Sequence, residues 1–402
     1  MCEPGAFLEC TAAGRVRRCN PAGDGTYEVP CEQGCNTAGS CNTCAPGVAR
    51  CRPDALDEVE RCAADGVSFE PVATCTTLCL SQLDDQPHAH CAYFQPPYEV
   101  LARDCDALAT AGPLTVSADT TLDGGVASTC TGGVRPQIDG PEICVVRQSS
   151  IAIAAGRVEL AGARAFAFIA DGDITIGGAI DGSGDGPLDG PGGGTRVSGT
   201  PPAGAIGGGG AGFRTGGGDG GGGGAGGSVG AVPGFLGALR GGYRAASPAG
   251  GGGGGALMFV SCRGAVSIDG RIDVGGGGGA PGASAGGGGS GGVLVIAAHE
   301  VAITGQVFAN GGGGGGGSTG QGGADGSLSS ARGAAGGASG PGGGDGGAGG
   351  ARLVAPGNGA APGGGGGGAT GFVLVYTDAS APPVLAPSDA SPAITVGRLP
   401  LR

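Results

Sequence analysis

Residues 174–184 read ITIGGAIDGSG, and three other stretches share this form: 151–162 (IAIAAGRVELAG), 266–276 (VSIDGRIDVGG) and 301–312 (VAITGQVFANGG). In each stretch a short alternating apolar run is followed by a tight turn and a second short run. Alternation with a period of two is typical of β-strands. Repeated strand–turn–strand units with no helix between them predict an all-β solenoid, in which each unit stacks on the next.

Further apolar runs flank these units. They lie at residues 165–169, 257–260, 293–296 and 372–376, and the last of them, FVLVY, is expected to end the series. Stacking of the units would place Ile174, Val266 and Val301 at equivalent positions facing a common core. We expect the solenoid to occupy residues 95–378.

Two stretches, LTVSADTTLDGG (114–125) and DGDITIGGAIDGSGDG (171–186), resemble the rungs of right-handed parallel β-helix proteins of the pectate-lyase-like type. The resemblance extends over residues 112–378 but is confined to individual rungs. It implies a parallel β-helix and, as a runner-up function, a polysaccharide lyase or hydrolase. The alternative fold is a β-sandwich with long glycine loops, because strand spacing alone does not separate the two folds.

The chain contains 101 glycines, far above ordinary usage but without the strict repeat of collagen. They are concentrated in inserts at about 183–255, 275–292 and 311–371, which follow equivalent points of successive rungs. Equivalent points of stacked rungs lie above one another. The inserts are therefore predicted to emerge side by side from one edge of the solenoid.

Within the inserts, the residues other than glycine fall in places on a period of three. They are Asp219, Ala225, Ser228 and Ala231, then Ala335, Ala338 and Pro341, then Asp345, Ala348 and Ala351. Three residues per turn is the repeat of a polyproline-II-type helix, and glycine would let such helices pack closely. Glycine-rich phage tail adhesins are similar in this respect. The alternative is flexible coil, since ordering glycine is entropically costly.

Cysteines define the other end of the chain. CEPG at residues 2–5 recurs as CAPG at 44–47, and two modules of six cysteines follow, at residues 1–43 and 44–94. Modules this small bury too little apolar surface to fold without covalent cross-links. We expect three disulfides in each module. The twelve cysteines are Cys2, Cys10, Cys19, Cys31, Cys35, Cys41, Cys44, Cys51, Cys62, Cys75, Cys79 and Cys91.

Four further cysteines, Cys105, Cys130, Cys144 and Cys262, are expected to pair among themselves. A zinc site is the rival interpretation, because residues 41–44 form a CxxC and His88 and His90 stand beside Cys91. A zinc ribbon would need a second CxxC about 15–20 residues away, and the sequence has none. Sixteen cysteines therefore indicate disulfides and export to an oxidising compartment.

The composition restricts the partners. A formal net charge of −13 argues against nucleic acid and against anionic membrane surfaces, which both require basic patches. No apolar run approaches the roughly 18 residues of a transmembrane helix. Met1 is followed at once by Cys2, so we expect a mature form of an exported protein. Whether a precursor carries a lipid on Cys2 is left open.

One candidate metal site lies at the start of the first insert. Asp181, Ser183, Asp185 and Asp189 place oxygen ligands at positions 1, 3, 5 and 9 of a calcium-type loop. Position 12 is Gly192 rather than glutamate, so calcium would bind weakly. Asp-Gly pairs are also ordinary turn residues, and we favour the turn. No other cofactor is indicated.

A candidate binding cluster stands out among the glycines. Phe235, Leu236 and Leu239 are followed by Arg240, Tyr243 and Arg244, and Tyr with Arg is typical of recognition surfaces. The alternative is that these residues cap the glycine layer and pack on it. Nothing in the solenoid selects an acid–base pair, so no catalytic residue is assigned.

These features favour an extracellular structural or adhesive surface protein without catalytic activity. Its partner would be a polysaccharide, another cell-surface component or a second copy of the chain. A carbohydrate-binding module is a third candidate beside the polysaccharide-active enzyme. The Pro-, Ala- and Ser-rich residues 379–402 are expected to form a linker or disordered tail.

Overall fold

The computed structural model describes residues 1–75, 79–80, 89–93, 96–106, 108–109, 111–228, 238–377 and 382–398, without the side chain of Leu56. The chain divides into two compact units, residues 1–93 and residues 94–401. Almost all regular structure is β, and the described residues include one short 3-10 helix, Glu99–Leu101.

The first unit is built of antiparallel strands. They are β1 (Phe7–Cys10), β2 (Arg15–Cys19), β3 (Thr26–Pro30), β4 (Ala49–Arg52), β5 (Ala55–Cys62), β6 (Phe69–Thr74), β7 (Cys79–Leu80) and β8 (His90–Cys91). Strands β1–β3 form one sheet, β4–β6 form a second, and β7 pairs with β8. The two three-stranded sheets belong to the two repeated cysteine modules.

All sixteen cysteines are paired, which confirms the disulfide interpretation. The pairs are Cys2–Cys19, Cys10–Cys35, Cys31–Cys41, Cys44–Cys62, Cys51–Cys79, Cys75–Cys91, Cys105–Cys262 and Cys130–Cys144. Both modules join their first cysteine to the third, the second to the fifth and the fourth to the sixth. The zinc alternative is wrong, because Cys41 and Cys44 each have a sulfur partner in their own module. His88 lies outside the described residues.

The strands of the second unit follow one another in short groups. They are β9 (Leu114–Val116), β10 (Thr120–Asp123), β11 (Gly133–Arg135), β12 (Ile143–Gln148), β13 (Ile151–Ile153), β14 (Arg157–Ala161), β15 (Ala165–Ala170), β16 (Ile174–Ile176), β17 (Ala179–Asp181), β18 (Val197–Ser198), β19 (Arg244–Ala245), β20 (Ala256–Ser261), β21 (Ala265–Ile268), β22 (Arg271–Asp273), β23 (Val293–Ala297), β24 (Glu300–Ile303), β25 (Gln306–Phe308), β26 (Phe372–Thr377), β27 (Val384–Leu385), β28 (Asp389–Ser391) and β29 (Thr395–Arg398).

The strands form three sheets that the chain visits repeatedly in the same order. The first sheet has the order β11-β12-β15-β20-β23-β26-β29, the second β9-β13-β16-β21-β24-β27, and the third β10-β14-β17-β22-β25-β28. Neighbouring strands are parallel except β11, which pairs antiparallel with β12. The sandwich alternative, which requires antiparallel sheets, is therefore wrong.

The register confirms the predicted alignment of the rungs. Ile174 pairs with Val266, which in turn pairs with Val301. Two positions further on, Ile176, Ile268 and Ile303 form the next row, and each is at most 1% exposed. Residues between these rows face away from the core, as period-two alternation requires. The common core is completed by stacked aromatic rings, such as Phe168 on Phe259 at 5.1 Å.

The three glycine inserts leave and re-enter the sheets at one corner. Each leaves after a strand of the third sheet (β17, β22 or β25) and returns to a strand of the first sheet (β20, β23 or β26). This arrangement confirms that the inserts emerge side by side. Parallel strands lie about 4.8 Å apart, so the emerging segments begin too close together for side chains between them. We call residues 182–194, 207–228, 239–255, 274–292 and 310–371 the glycine layer.

Backbone hydrogen bonds inside the glycine layer repeat every three residues. The segment 311–317 donates to three neighbouring segments at 2.8–3.0 Å: Gly311, Gly314 and Gly317 to Gly350, Gly347 and Gly344, Gly312 and Gly315 to Gly289 and Gly286, and Gly313 and Gly316 to Ala324 and Gln321. The carbonyl groups of the same segment accept from three other segments, through the N–H groups of Gly365 and Gly368, of Gly279 and Gly282, and of Gly337 and Gly340. The described inserts are therefore ordered, and flexible coil is the wrong interpretation for them.

Residues 379–402 were expected to be a linker or disordered tail, and this expectation is wrong for the described part. Strands β27, β28 and β29 add one further parallel strand to each of the three sheets. Strand β26 is therefore not the last of its series. The residues are small and weakly apolar, but Ala390 and Ser391 are buried by their neighbours on the preceding rung. Their composition concealed three strands that are paired through the backbone with the preceding strand of each sheet.

Candidate functional site

Most of the residues that fall on the period of three in the inserts lie on the outer surface of the glycine layer. Asp219, Ala225 and Ser228 are exposed, and so are Ala335, Ala338, Pro341 and Asp345. By contrast, a Cβ on any of residues 311–316 would overlap a carbonyl oxygen of a neighbouring segment. The period of three in the sequence thus separates outward positions from packed ones. Ala348 is half-buried and Ala351 is buried, so both depart from the pattern, and Ala231 lies outside the described residues.

A cleft of about 570 Å³ opens where the glycine layer meets the segment that follows strand β28. Its walls come from three distant parts of the chain: residues 214–216, residues 351–356, and Pro392 with Ala393. Thr370 completes the lining. Ser391 immediately precedes Pro392 in the chain, and its Oγ accepts a hydrogen bond at 2.7 Å from the backbone N–H of Arg352. Apolar surface is present at the rim, where Leu353 is 73% exposed.

Two arginines of the cleft have no acidic partner among the described residues. The guanidinium of Arg214 donates to the carbonyl of Ala393 at 3.1 Å and lies over the ring of Phe372. Partial burial lowers the pKa of Arg214. Arg352 is exposed, and its side chain makes no hydrogen bond or ion pair within the described chain. The protein has a net charge of −13, but Arg214 and Arg352 together make this cleft locally positive.

Aromatic packing supports this cleft from below. Phe213 is 1% exposed and lies between Tyr243, at 4.8 Å, and Phe372, at 5.1 Å between ring centroids. Phe213 thus joins a glycine segment to strand β26 of the first sheet. Phe213 and both arginines of the cleft were not among the residues predicted from the sequence. The sequence signal for a packing site here is the single aromatic residue in the segment GGGGAGFRTGGG at 207–218.

The cluster predicted from Tyr and Arg residues has mainly internal contacts. Tyr243 packs on Phe213, and its backbone N–H donates to Ser290 Oγ at 2.7 Å. Arg244 forms an ion pair with Asp189. The Nε and Nη1 atoms of Arg240 are buried without a hydrogen-bond partner in the described residues. Phe235 and Leu236 lie outside those residues. These contacts support the alternative that the cluster packs within the layer.

The four calcium-ligand candidates are not gathered into one site. Asp181 pairs with Arg157 and accepts from the hydroxyl of Ser183 at 2.6 Å. Asp185 belongs to a tight turn in which its backbone exchanges hydrogen bonds with Leu188. Asp189 pairs with Arg244 and accepts from the N–H of Gly253 at 2.8 Å. Among the described residues, no three His, Cys, Asp or Glu side chains are grouped to hold a metal ion.

One carboxylate pair that was not predicted from the sequence forms on the third sheet. Asp181 and Asp273 are directly paired on neighbouring strands. Burial and the charge of Asp181 raise the pKa of Asp273 to about 7. Asp273 is only 8% exposed, and it accepts from the N–H of Gly275 at 2.9 Å. A polymeric substrate therefore has little access to this pair.

The raised pKa of Asp273 predicts a pH-dependent stability. The folded protein binds this proton more tightly than the unfolded chain, whose aspartates have a pKa near 3.9. Protonation of Asp273 therefore stabilises the folded protein fully below about pH 4. This stabilisation, up to about 4 kcal/mol, is lost as the pH rises through 7. We expect Asp273→Asn to be more stable than the wild type at pH 8 and to flatten this dependence. Urea unfolding at several pH values measures it.

Asp185→Asn is the matched control, because Asp185 is an exposed aspartate of the same region. It should retain the pH dependence of the wild type. An Asp273→Asn profile parallel to that of the wild type would contradict the assignment.

Comparison with protein families, curated proteins and solved structures found no match for the chain. The arguments for its function therefore rest on its own residues.

Proposed function

We propose that this protein is an extracellular structural and adhesive surface protein. In this proposal the three sheets form a parallel β-solenoid of the β-helix type, and the glycine layer is a bundle of packed polyglycine-II-type helices. The observation that carries the proposal is the three-residue period of the hydrogen bonds, in which segment 311–317 contacts six neighbouring segments. Three residues per turn is the repeat of such helices.

Several observations support a rigid body outside the cell. Eight disulfides fit an oxidising compartment, and each of them joins two cysteines of the same unit. In the second unit, Asp171 binds Arg147 and Arg263, and it also accepts from the N–H of Ala109 at 2.6 Å. The described residues include no helix able to cross a bilayer. Export and surface location are parts of the proposal.

Adhesion is proposed at the cleft of Arg214 and Arg352. Solenoids present long surfaces rather than one deep pocket. The cleft interrupts such a surface with two guanidinium groups that have no acidic partner among the described residues. Guanidinium binds carboxylate, sulfate and phosphate groups with two parallel hydrogen bonds. The partner that we propose is a cell-surface polysaccharide.

The test measures retention of the purified protein on insoluble acidic and neutral polysaccharides, with and without calcium, together with any released product. We expect retention without turnover. Arg352→Glu should reduce retention at least about tenfold, because it reverses the charge at an exposed position of the cleft. Arg196→Glu makes the same charge change at an exposed position outside the cleft and should bind like the wild type.

Release of unsaturated or reducing oligosaccharides would replace this proposal with the polysaccharide-active enzyme. Equal retention of the two variants would show that the cleft is not the polysaccharide-binding site. Absence of retention on every polymer would overturn the adhesive role.

A further inference from the structure

The edge of the glycine layer differs chemically from its interior. Inside the layer, backbone N–H groups donate to the carbonyl groups of neighbouring segments, as Gly314 does to Gly347 at 2.9 Å. A segment at the edge lacks a neighbour on its outer side. The N–H groups that point in that direction need another acceptor or water.

Side chains of the outer segments supply several of these acceptors. Asp325 Oδ1 accepts from the N–H groups of Gly186 and Gly278, both at 2.8 Å. In the same way, Asp219 accepts from Gly226 at 2.7 Å, Asp345 from Ser339 at 2.7 Å, and the amide oxygen of Asn358 from Asp219 at 2.8 Å. None of these N–H groups has a glycine carbonyl as its partner in the described chain. These Asp and Asn side chains therefore act as caps of the layer.

The outward Cβ atoms provide a second barrier. Ala335 and Ala338 are exposed and one turn apart on segment 333–340. At the packed positions of neighbouring segments, an added Cβ would overlap a carbonyl oxygen. A Cβ on Gly313 would overlap the carbonyl oxygen of Ala335, and one on Gly316 would overlap that of Ala338. A further glycine segment therefore cannot dock on the outer side of 333–340 while these methyl groups are present.

We propose that the outer edge at residues 333–345 is a self-association surface kept closed by its outward methyl groups and capping carboxylates. Uncapped, it would offer rows of free N–H and C=O groups, as an unprotected edge strand does. The partner would be a second copy of this chain. An added segment must itself have glycine at the contacting positions and the same three-residue period. The same edge of another copy meets both conditions once Ala335 and Ala338 are replaced by glycine. This inference goes beyond the adhesive role.

The experiment compares two double variants by sedimentation velocity over a wide range of concentrations. Ala335→Gly with Ala338→Gly removes both methyl groups. We expect it to self-associate at least about tenfold more tightly than the wild type. Ala335→Ser with Ala338→Ser keeps both Cβ atoms and should behave like the wild type. Each substitution removes a single methyl group from an exposed position, so the first variant should still fold.

A second pair of variants tests the caps independently. Asp345→Ala frees the N–H group of Ser339 at the proposed edge and should increase self-association, whereas Asp345→Asn keeps the accepting oxygen and should not. The proposal is overturned if the folded glycine variant associates no more than the serine variant. It is equally overturned if the serine variant associates as strongly as the glycine variant, because the Cβ atoms would then be no barrier.

Discussion

Substitution of Gly314 by alanine is expected to disrupt the glycine layer and to cost more than about 3 kcal/mol of stability. The added Cβ would overlap the carbonyl oxygen of Gly365. Gly314 also donates to Gly347 and accepts from Gly337, so its backbone is held from two sides. Overpacking ordinarily costs 1–3 kcal/mol when side chains move aside. Here the obstacle is backbone, which has no rotamer to change. Urea or thermal unfolding measures the loss.

Gly322→Ala is the matched control within the same layer. A Cβ at Gly322 would meet its nearest atom, the carbonyl oxygen of Gly279, at 3.5 Å, which is an ordinary van der Waals contact. We expect its stability to lie within about 1 kcal/mol of the wild type. Equal stability of the two variants would show that the packing of segment 311–317 is looser than described.

Replacement of Ile176 by aspartate is expected to abolish folding of the second unit. Ile176 is 1% exposed and lies in the row that also contains Ile268 and Ile303. A buried carboxylate without a partner would cost more than about 4 kcal/mol, and its row is surrounded by aliphatic side chains. Far-ultraviolet circular dichroism and thermal unfolding report the outcome. Ile268→Asp and Ile303→Asp should behave in the same way.

Thr175→Asp supplies the control on the same strand. Thr175 is exposed between the buried residues Ile174 and Ile176, so its side chain points away from the core. We expect a change within about 0.5 kcal/mol. If all three isoleucine variants unfolded like the wild type, the rows of the core would be wrongly assigned.

The strands were the most predictable part of the molecule, because their signal is local. Alternation around Ile174, Val266 and Val301 placed the rungs and their register before any contact was known, and the pairing confirmed it. Strand β28 shows the limit of this approach. Its residues Asp389–Ser391 have no apolar alternation, and only the preceding rung makes them a strand.

The cleft could not have been predicted in the same way. Arg214 and Arg352 lie 138 positions apart by their numbers, and no periodicity connects them. They line one cleft because separate segments of the glycine layer return to the same rung. Asp273 was equally unpredictable, because its raised pKa depends on burial and on the charge of Asp181 on a neighbouring strand.

The sequence by itself determined the all-β class, the two cysteine modules, the number of disulfides in each and the corner from which the inserts emerge. Each of these follows from spacing along the chain, through period-two alternation, repeat length or the count of cysteines. The tertiary structure alone decided which cysteines pair, that glycine segments order one another, and which arginines share a cleft. These outcomes depend on contacts between residues distant in sequence. A segment such as 311–317 has no stabilising hydrogen bonds of its own, and it is ordered only when six neighbours supply them.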